Sequence, residues 1–224
     1  MEHEILYRPS YSLLKLSMKK GETLCAEAGA MVSMSSAIEM QTAMKGGLFG
    51  ALKRSLLGGE SFFINTFLAQ DQGELTLAPA LPGDIAAVEL KGQTIFAQSR
   101  SYIASSPEIT VDTKWGGAKT FFSKEGLFLL KIGGNGKVFL SSYGAIHEID
   151  LAPGQKYIVD TGHMVAFGEG VGYAVKAVGG LKSTLFSGEG LVCDLTGPGK
   201  IMIQSRSADA FLAWLIPQLP KARS

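Results

Sequence analysis

GETLCAEAGAMVSM, residues 21–34, decides the reading of the fold, because the chain writes this pattern three times. Residues 92–105 read GQTIFAQSRSYIAS and residues 154–167 read GQKYIVDTGHMVAF. Each opens on Gly followed by Glu or Gln and runs into an apolar-rich segment. Each also carries a polar residue at one shared place, Glu27, Gln98 or Asp160. A second element recurs beside it: Gly73-Glu-Leu-Thr-Leu77, Gly136-Lys-Val-Phe-Leu140 and Gly199-Lys-Ile-Met-Ile203 start a constant 63 residues apart. Each is a strand of alternating character leaving a Gly turn. Two independent elements keeping nearly one period predict threefold internal duplication.

A third element lies between the first two. Gly-Gly precedes a strand-like run at residues 58, 116 and 179, and segments 124–130 and 188–195 read as hairpins with Glu-Gly turns. Three units cannot close a propeller, and a period near 63 exceeds the solenoid repeats. The expected fold is therefore all-β. It comprises three related sandwich-like units, about 5–80, 81–143 and 144–207, packed in one domain around a pseudo-threefold axis.

Two segments break the strand pattern. Between Met44 and Gly59, Phe49, Leu52 and Leu56 recur at helical spacing, which predicts a short helical insertion. Residues 208–216 predict a C-terminal helix with Ser207 as N-cap, Phe211, Trp214 and Leu215 on one face, and Pro217 as the stop. That helix is expected to close the chain against the body.

Composition narrows the function classes. Hydrophobic residues make up 46% and charged residues 18% of 224, so a sizeable core is available and disorder is excluded. A net charge of +1 removes the bulk electrostatic case for nucleic-acid binding. No apolar run approaches the roughly 18 residues of a spanning helix, and Met1-Glu-His-Glu4 is neither a secretory start nor a transit peptide. A cytoplasmic protein is the expectation.

Catalytic motifs are thin. His3, His147 and His163 form no His-x-His pair, Cys25 and Cys193 form no Cys-x-x-Cys, and no metal or other cofactor is expected. The two cysteines read as small buried hydrophobes, since Cys25 takes the place of Phe96 and Ile158 in the repeats. The paired serines at 35, 105 and 141 read as turn residues without a nucleophile elbow. GGNG at 133–136 and GEGVG at 168–172 read as hairpin turns rather than phosphate loops. Glu27, Gln98 and Asp160 are the repeat-equivalent polar positions. If they approach one another, Glu27 and Asp160 offer a carboxylate pair for acid–base work; otherwise they bond local turn amides.

MKGGLFGALKRSLLGGESFFINTFLA, from Met44 to Ala69, together with AEAGAMVSM from Ala26, resembles the altered-inheritance-of-mitochondria protein 24 family over essentially the whole chain. The resemblance implies a β-rich fold classed with the tryptophan RNA-binding attenuator protein and built of β-sandwich units. It implies no catalytic residues. Fungal relatives are associated with inner-membrane organisation in mitochondria, and the lack of a transit peptide here points to a bacterial-type member.

The residues favour an uncharacterised, non-catalytic interaction or scaffold protein that self-associates as a homo-oligomer. Lys45, Leu48, Phe49, Leu52, Lys53 and Arg54 are its candidate contacts. Residues 45–57 join three positive charges to apolar residues, a composition suited to a partner's groove or an anionic membrane surface. A small-ligand protein with a pocket between units is the first alternative, and an enzyme with an unrecognised site the second.

Overall fold

The structure is a computed structural model that describes residues 1–41, 55–57, 60–62, 64–112, 128–177 and 191–220. Strands dominate, all but one isolated bridge paired antiparallel. The first are β1 (Glu2–Leu6), β2 (Leu13–Met18), β3 (Thr23–Glu27), β4 (Met31–Met34) and β5 (Ile38–Gln41). Then come β6 (Ser55–Leu57), β7 (Glu60–Phe62), β8 (Ile64–Ala69) and β9 (Gly73–Leu77). The middle of the chain supplies β10 (Ile85–Gln98), β11 (Tyr102–Ser105), β12 (Ile109–Asp112) and β13 (Leu129–Ser141). The last are β14 (Ile146–Leu151), β15 (Lys156–Asp160), β16 (Met164–Gly168), β17 (Gly172–Ala177), β18 (Leu191–Thr196) and β19 (Gly199–Gln204). One α-helix follows, α1 (Ala208–Leu215).

The three stretches quoted above adopt one local shape. Each is a strand, a three-residue corner and a second strand: β3 into β4, the end of β10 into β11, and β15 into β16. The second strand of each then pairs with a Gly-led strand, β4 with β9, β11 with β13 and β16 with β19. In all three pairings the register slips by one residue, at Val32, Ile103 and Val165. Such bulges bend a strand sharply and re-aim its side chains.

The same Gly-led strands take a further neighbour on their other side, β2 on β9, the first half of β10 on β13, and β14 on β19. The opening strands pair with a second set: β3 with β8, the second half of β10 with β13, and β15 with β18. Beyond these lie β5, β12 and β17. These pairings build a ten-stranded sheet flanked by a four-stranded and a three-stranded one; apolar residues at every second position face inward, and three core clusters result. Leu14, Leu24, Phe67 and Leu75 belong to the first, Leu130, Ile132, Val138 and Leu140 to the second, and Phe167, Cys193, Leu195 and Ile201 to the third. Both cysteines are buried, as their apolar settings predict.

Two sheet junctions tie the clusters together. Ala104 and Ser105 of β11 pair with Ala26 and Cys25 of β3. Ala166 and Phe167 of β16 pair with Ala97 and Phe96 of β10. Tyr102 seals the first junction: wholly buried, its hydroxyl lies 2.9 Å from Ser105 Oγ and donates to the Cys25 carbonyl at 3.4 Å. Burial pushes that phenol well above its ordinary range.

Two expectations need correction. The end of the segment read as helix is extended, since Ser55–Leu57 pairs with Glu60–Phe62 as antiparallel strands, while residues 42–54 lie outside the described residues. Helical periodicity in a short apolar run does not exclude a strand, and the Gly58-Gly59 sequence between the two suits a hairpin. The C-terminal helix forms where expected, with Ser207 Oγ accepting from the Ala210 N–H at 3.4 Å, but it buries no side chain. Its ring contact with the body is Phe211 against Tyr143 at 6.1 Å, and Trp214 stands exposed.

Candidate functional site

The end of β3 and the corners after β10 and β15 line one cavity of about 500 Å³. Glu27 ends β3, Gln98 ends β10, and Gly162 sits in the corner after β15; all three line the cavity. Strand ends are suited to this, because the turning backbone releases its side chains from the alternating sheet faces.

Of the repeat-equivalent polar residues, Glu27 and Gln98 line this space and Asp160 does not, and each does different work. Asp160 Oδ1 accepts from the Gly162 N–H at 2.8 Å, capping its own corner. Gln98 is buried and donates through Nε2 to the Thr161 carbonyl at 3.4 Å, which ties the middle corner to the last one. Glu27 faces the cavity, where Asp160 is not among the lining residues. The geometry thus follows the turn-amide reading for Asp160 and does not set the two carboxylates together in the cavity.

Residues that the sequence did not single out complete the wall. Gln204, at the end of β19, accepts from the Tyr143 N–H at 2.8 Å through Oε1 and donates to the Gly162 carbonyl at 2.8 Å through Nε2. A buried amide that satisfies both ends this way fixes the wall rigidly. Arg100 also lines the cavity. Its signal was present in the repeats, since its equivalents in the other two corners are Gly29 and Gly162. Phe211 and Leu212 of α1 form an apolar rim.

This lining suits a small molecule with both polar and apolar parts. Among the described residues it contains no histidine and no cysteine. His163 stands behind the wall with Nδ1 2.7 Å from the Gln204 carbonyl oxygen. His3 packs edge-on against Phe139 at 5.1 Å, and burial, with Lys137 nearby, holds its pKa below the usual histidine value. Among the described residues no group of three His, Cys, Asp or Glu gathers in a metal-binding arrangement.

A second feature involves Val32 and Ile158, which are not among the cavity's lining residues. Val32 is 56% exposed, whereas its equivalents Ile103 and Val165 are 1% and 0% exposed. Ile158 is 68% exposed, whereas its equivalents Cys25 and Phe96 are 6% and 9% exposed. β4 and β15 are the edge strands of their sheets. The sequence-predicted contacts Lys45, Leu48, Phe49, Leu52, Lys53 and Arg54 lie outside the described residues.

The sequence profile of the family described as Mitochondrial biogenesis AIM24 matches residues 3–206, every described strand but for the first residue of β1. The chain belongs to the AIM24 family. This family member is 28% identical over 218 residues to an uncharacterised protein of Streptococcus pyogenes serotype M6, covering 94% of the chain and 88% of that relative. A crystal structure of a Streptococcus pyogenes protein is similar in fold, with a TM-score of 0.79 and 27% identity, covering 97% of this chain and 99% of that one. The family is one of unknown function, and these relatives share its all-β architecture. The helix α1 lies beyond the matched span. No described helix of this AIM24 member is long and apolar enough to cross a membrane.

Proposed function

We propose that this AIM24 member is a non-catalytic interaction module that self-associates. The observation that carries the reading is the exposure of large apolar side chains on β4, on β15, on α1 and in the turn after it, including Val32, Met34, Ile158, Trp214 and Ile216. Water leaves such surface at a gain of about 25 cal/mol per Å² on association, and contiguous exposed apolar surface marks interaction sites. The recurring strand pairing supports three duplicated units around a pseudo-threefold axis as part of the same reading. Sedimentation velocity over a wide concentration range tests it. A mass rising above that of the 23.8 kDa chain is expected, and a constant monomer mass would remove the proposal.

The cavity favours a second reading, a small-ligand protein with its pocket between units. Gln98, Arg100 and Gln204 offer donors and acceptors beside an apolar rim, and a ligand bound there would stabilise the folded state by mass action. Native mass spectrometry of freshly isolated protein is the check. A small molecule released on denaturation, and restoring the melting temperature when returned, is the supporting outcome. Residues 45–57 supply the third element of the proposal, contact with an anionic membrane. Flotation with phosphatidylglycerol vesicles, compared with Lys53→Glu and Arg54→Glu protein, is its test.

A further inference from the structure

Two junctions inside the chain use one register. At the first, Ala104 pairs with Ala26 and Ser105 with Cys25. At the second, Ala166 pairs with Ala97 and Phe167 with Phe96. Under the repeat alignment these are the same two pairs of positions. In both, the strand that follows a corner lies against the strand that precedes the corner of the neighbouring unit. Three corners give three strands of each kind, and two junctions consume two of each. β4 and β15 remain, and no hydrogen-bonded pairing joins them among the described residues.

These two leftover edges differ from ordinary sheet margins. Edge strands are normally blunted by charge, proline or a covering element. β4 reads Met31-Val-Ser-Met34, with no charge and no proline, and all four residues are exposed. The interior of β15 is Tyr157-Ile-Val159, and only its end residues, Lys156 and Asp160, carry charge. Each edge also keeps the apolar residues that its equivalents bury at the closed junctions. Burying Val32 and Ile158 as Ile103 and Phe96 are buried would remove two large apolar groups from water.

We infer that β4 of one copy pairs with β15 of a second copy, in the register of the two internal junctions, so that Ser33 lies opposite Val159 and Met34 opposite Ile158. The inference rests on the self-association proposed above and specifies its interface. The occupant is a second copy because this chain already contains two worked examples of the pairing, and each copy presents one edge of each kind. An interface that joins unlike edges is heterologous. It generates a closed ring if the rotation between copies closes, and a filament if it does not.

Cysteine pairing tests the register. Met34→Cys and Ile158→Cys proteins, prepared separately and mixed before mild oxidation, can form the mixed disulfide only between copies. Directly opposed antiparallel residues hold their Cβ atoms about 4.5–5.5 Å apart, near disulfide range. Both sites are exposed and both native cysteines are buried, so neither folding nor background oxidation obscures the result. Val32→Cys mixed with Ile158→Cys is the off-register control. In parallel, Val32→Lys and Ile158→Lys are examined by sedimentation.

The expected result is rapid Met34–Ile158 cross-linking, slow cross-linking in the control, and an association weakened about tenfold or more by either lysine. Three outcomes would overturn the inference in different ways. Oligomers that persist in both lysine variants without the cross-link leave self-association standing and refute this interface. A double variant, Met34→Cys with Ile158→Cys, that oxidises within single chains shows the third junction closing on itself. Monomers at every concentration with no cross-link refute both the interface and the reading beneath it.

Discussion

Arg8 grips Asp84 with two parallel hydrogen bonds, Nε to Oδ1 at 2.8 Å and Nη2 to Oδ2 at 2.9 Å. Asp84 is buried and also accepts from Ser12 Oγ at 3.0 Å and from the Ile85 N–H at 2.8 Å. The pair fastens the loop after β1 to the start of β10, a contact between residues 76 positions apart. A fork-to-fork arginine contact adds geometric specificity as well as energy.

This pair makes stability depend on acid. Burial alone would raise the Asp84 pKa, but the Arg8, Ile85 and Ser12 bonds outweigh it and hold the carboxyl below its ordinary value. A carboxyl depressed by folding contributes stability that is present above its unfolded pKa of about 4 and is lost as pH falls through the lower folded value. Asp84→Asn is therefore expected to lower stability at neutral pH by about 2–3 kcal/mol, since it strips Arg8 of its partner, and to flatten the loss below pH 4. Urea unfolding from pH 3 to 7 measures both.

Gln204 links the last β-strand to the corner at Gly162 and to the Tyr143 N–H. Gln204→Leu leaves two backbone groups without their partner and is expected to cost about 2–4 kcal/mol. Gln204→Glu, which keeps the acceptor for Tyr143 but sets a buried carboxylate oxygen against the Gly162 carbonyl, should cost more at neutral pH. Thermal unfolding of the two variants orders them, and equal values would show that the amide does not brace the cavity wall.

Gly83 faces the Ser142 carbonyl so closely that a Cβ added there overlaps its oxygen. The segment before β10 and the loop after β13 meet here through the isolated Gly83–Gly144 bridge, with the Gly144 N–H donating to the Pro82 carbonyl at 2.9 Å. Gly83→Ala is expected to destabilise by about 1–3 kcal/mol or more, because backbone rather than a flexible side chain must yield. Chemical denaturation midpoints are the measurement.

Ser99 is the opposite case. Its hydroxyl is buried and has no hydrogen-bond partner among the described residues. Leaving such a group unsatisfied costs about 1–3 kcal/mol, so Ser99→Ala should be neutral or raise the melting temperature. A fall of several degrees would mean that the hydroxyl has a partner after all.

Strands, Gly turns and the Ser207 cap were legible in the residues, because alternation and turn chemistry are local properties of a chain. The 55–57 strand was not, because a short apolar run satisfies helical and extended periodicities alike. Arg100 escaped notice although it replaces the glycine of the other two corners. Gln204 left no signal, since its importance comes from two backbone groups of distant segments that only packing delivers to it.

The sequence by itself determined the kind of element at most positions and the all-β class. Only the tertiary structure decided which edges pair, that the end of β3 and two of the corners line one cavity, and that Val32 and Ile158 are exposed. Side-chain alternation specifies which face of a strand is buried, but a strand's two edges present the same backbone groups whatever the sequence. The partner of an edge is settled by the position of neighbouring strands in space.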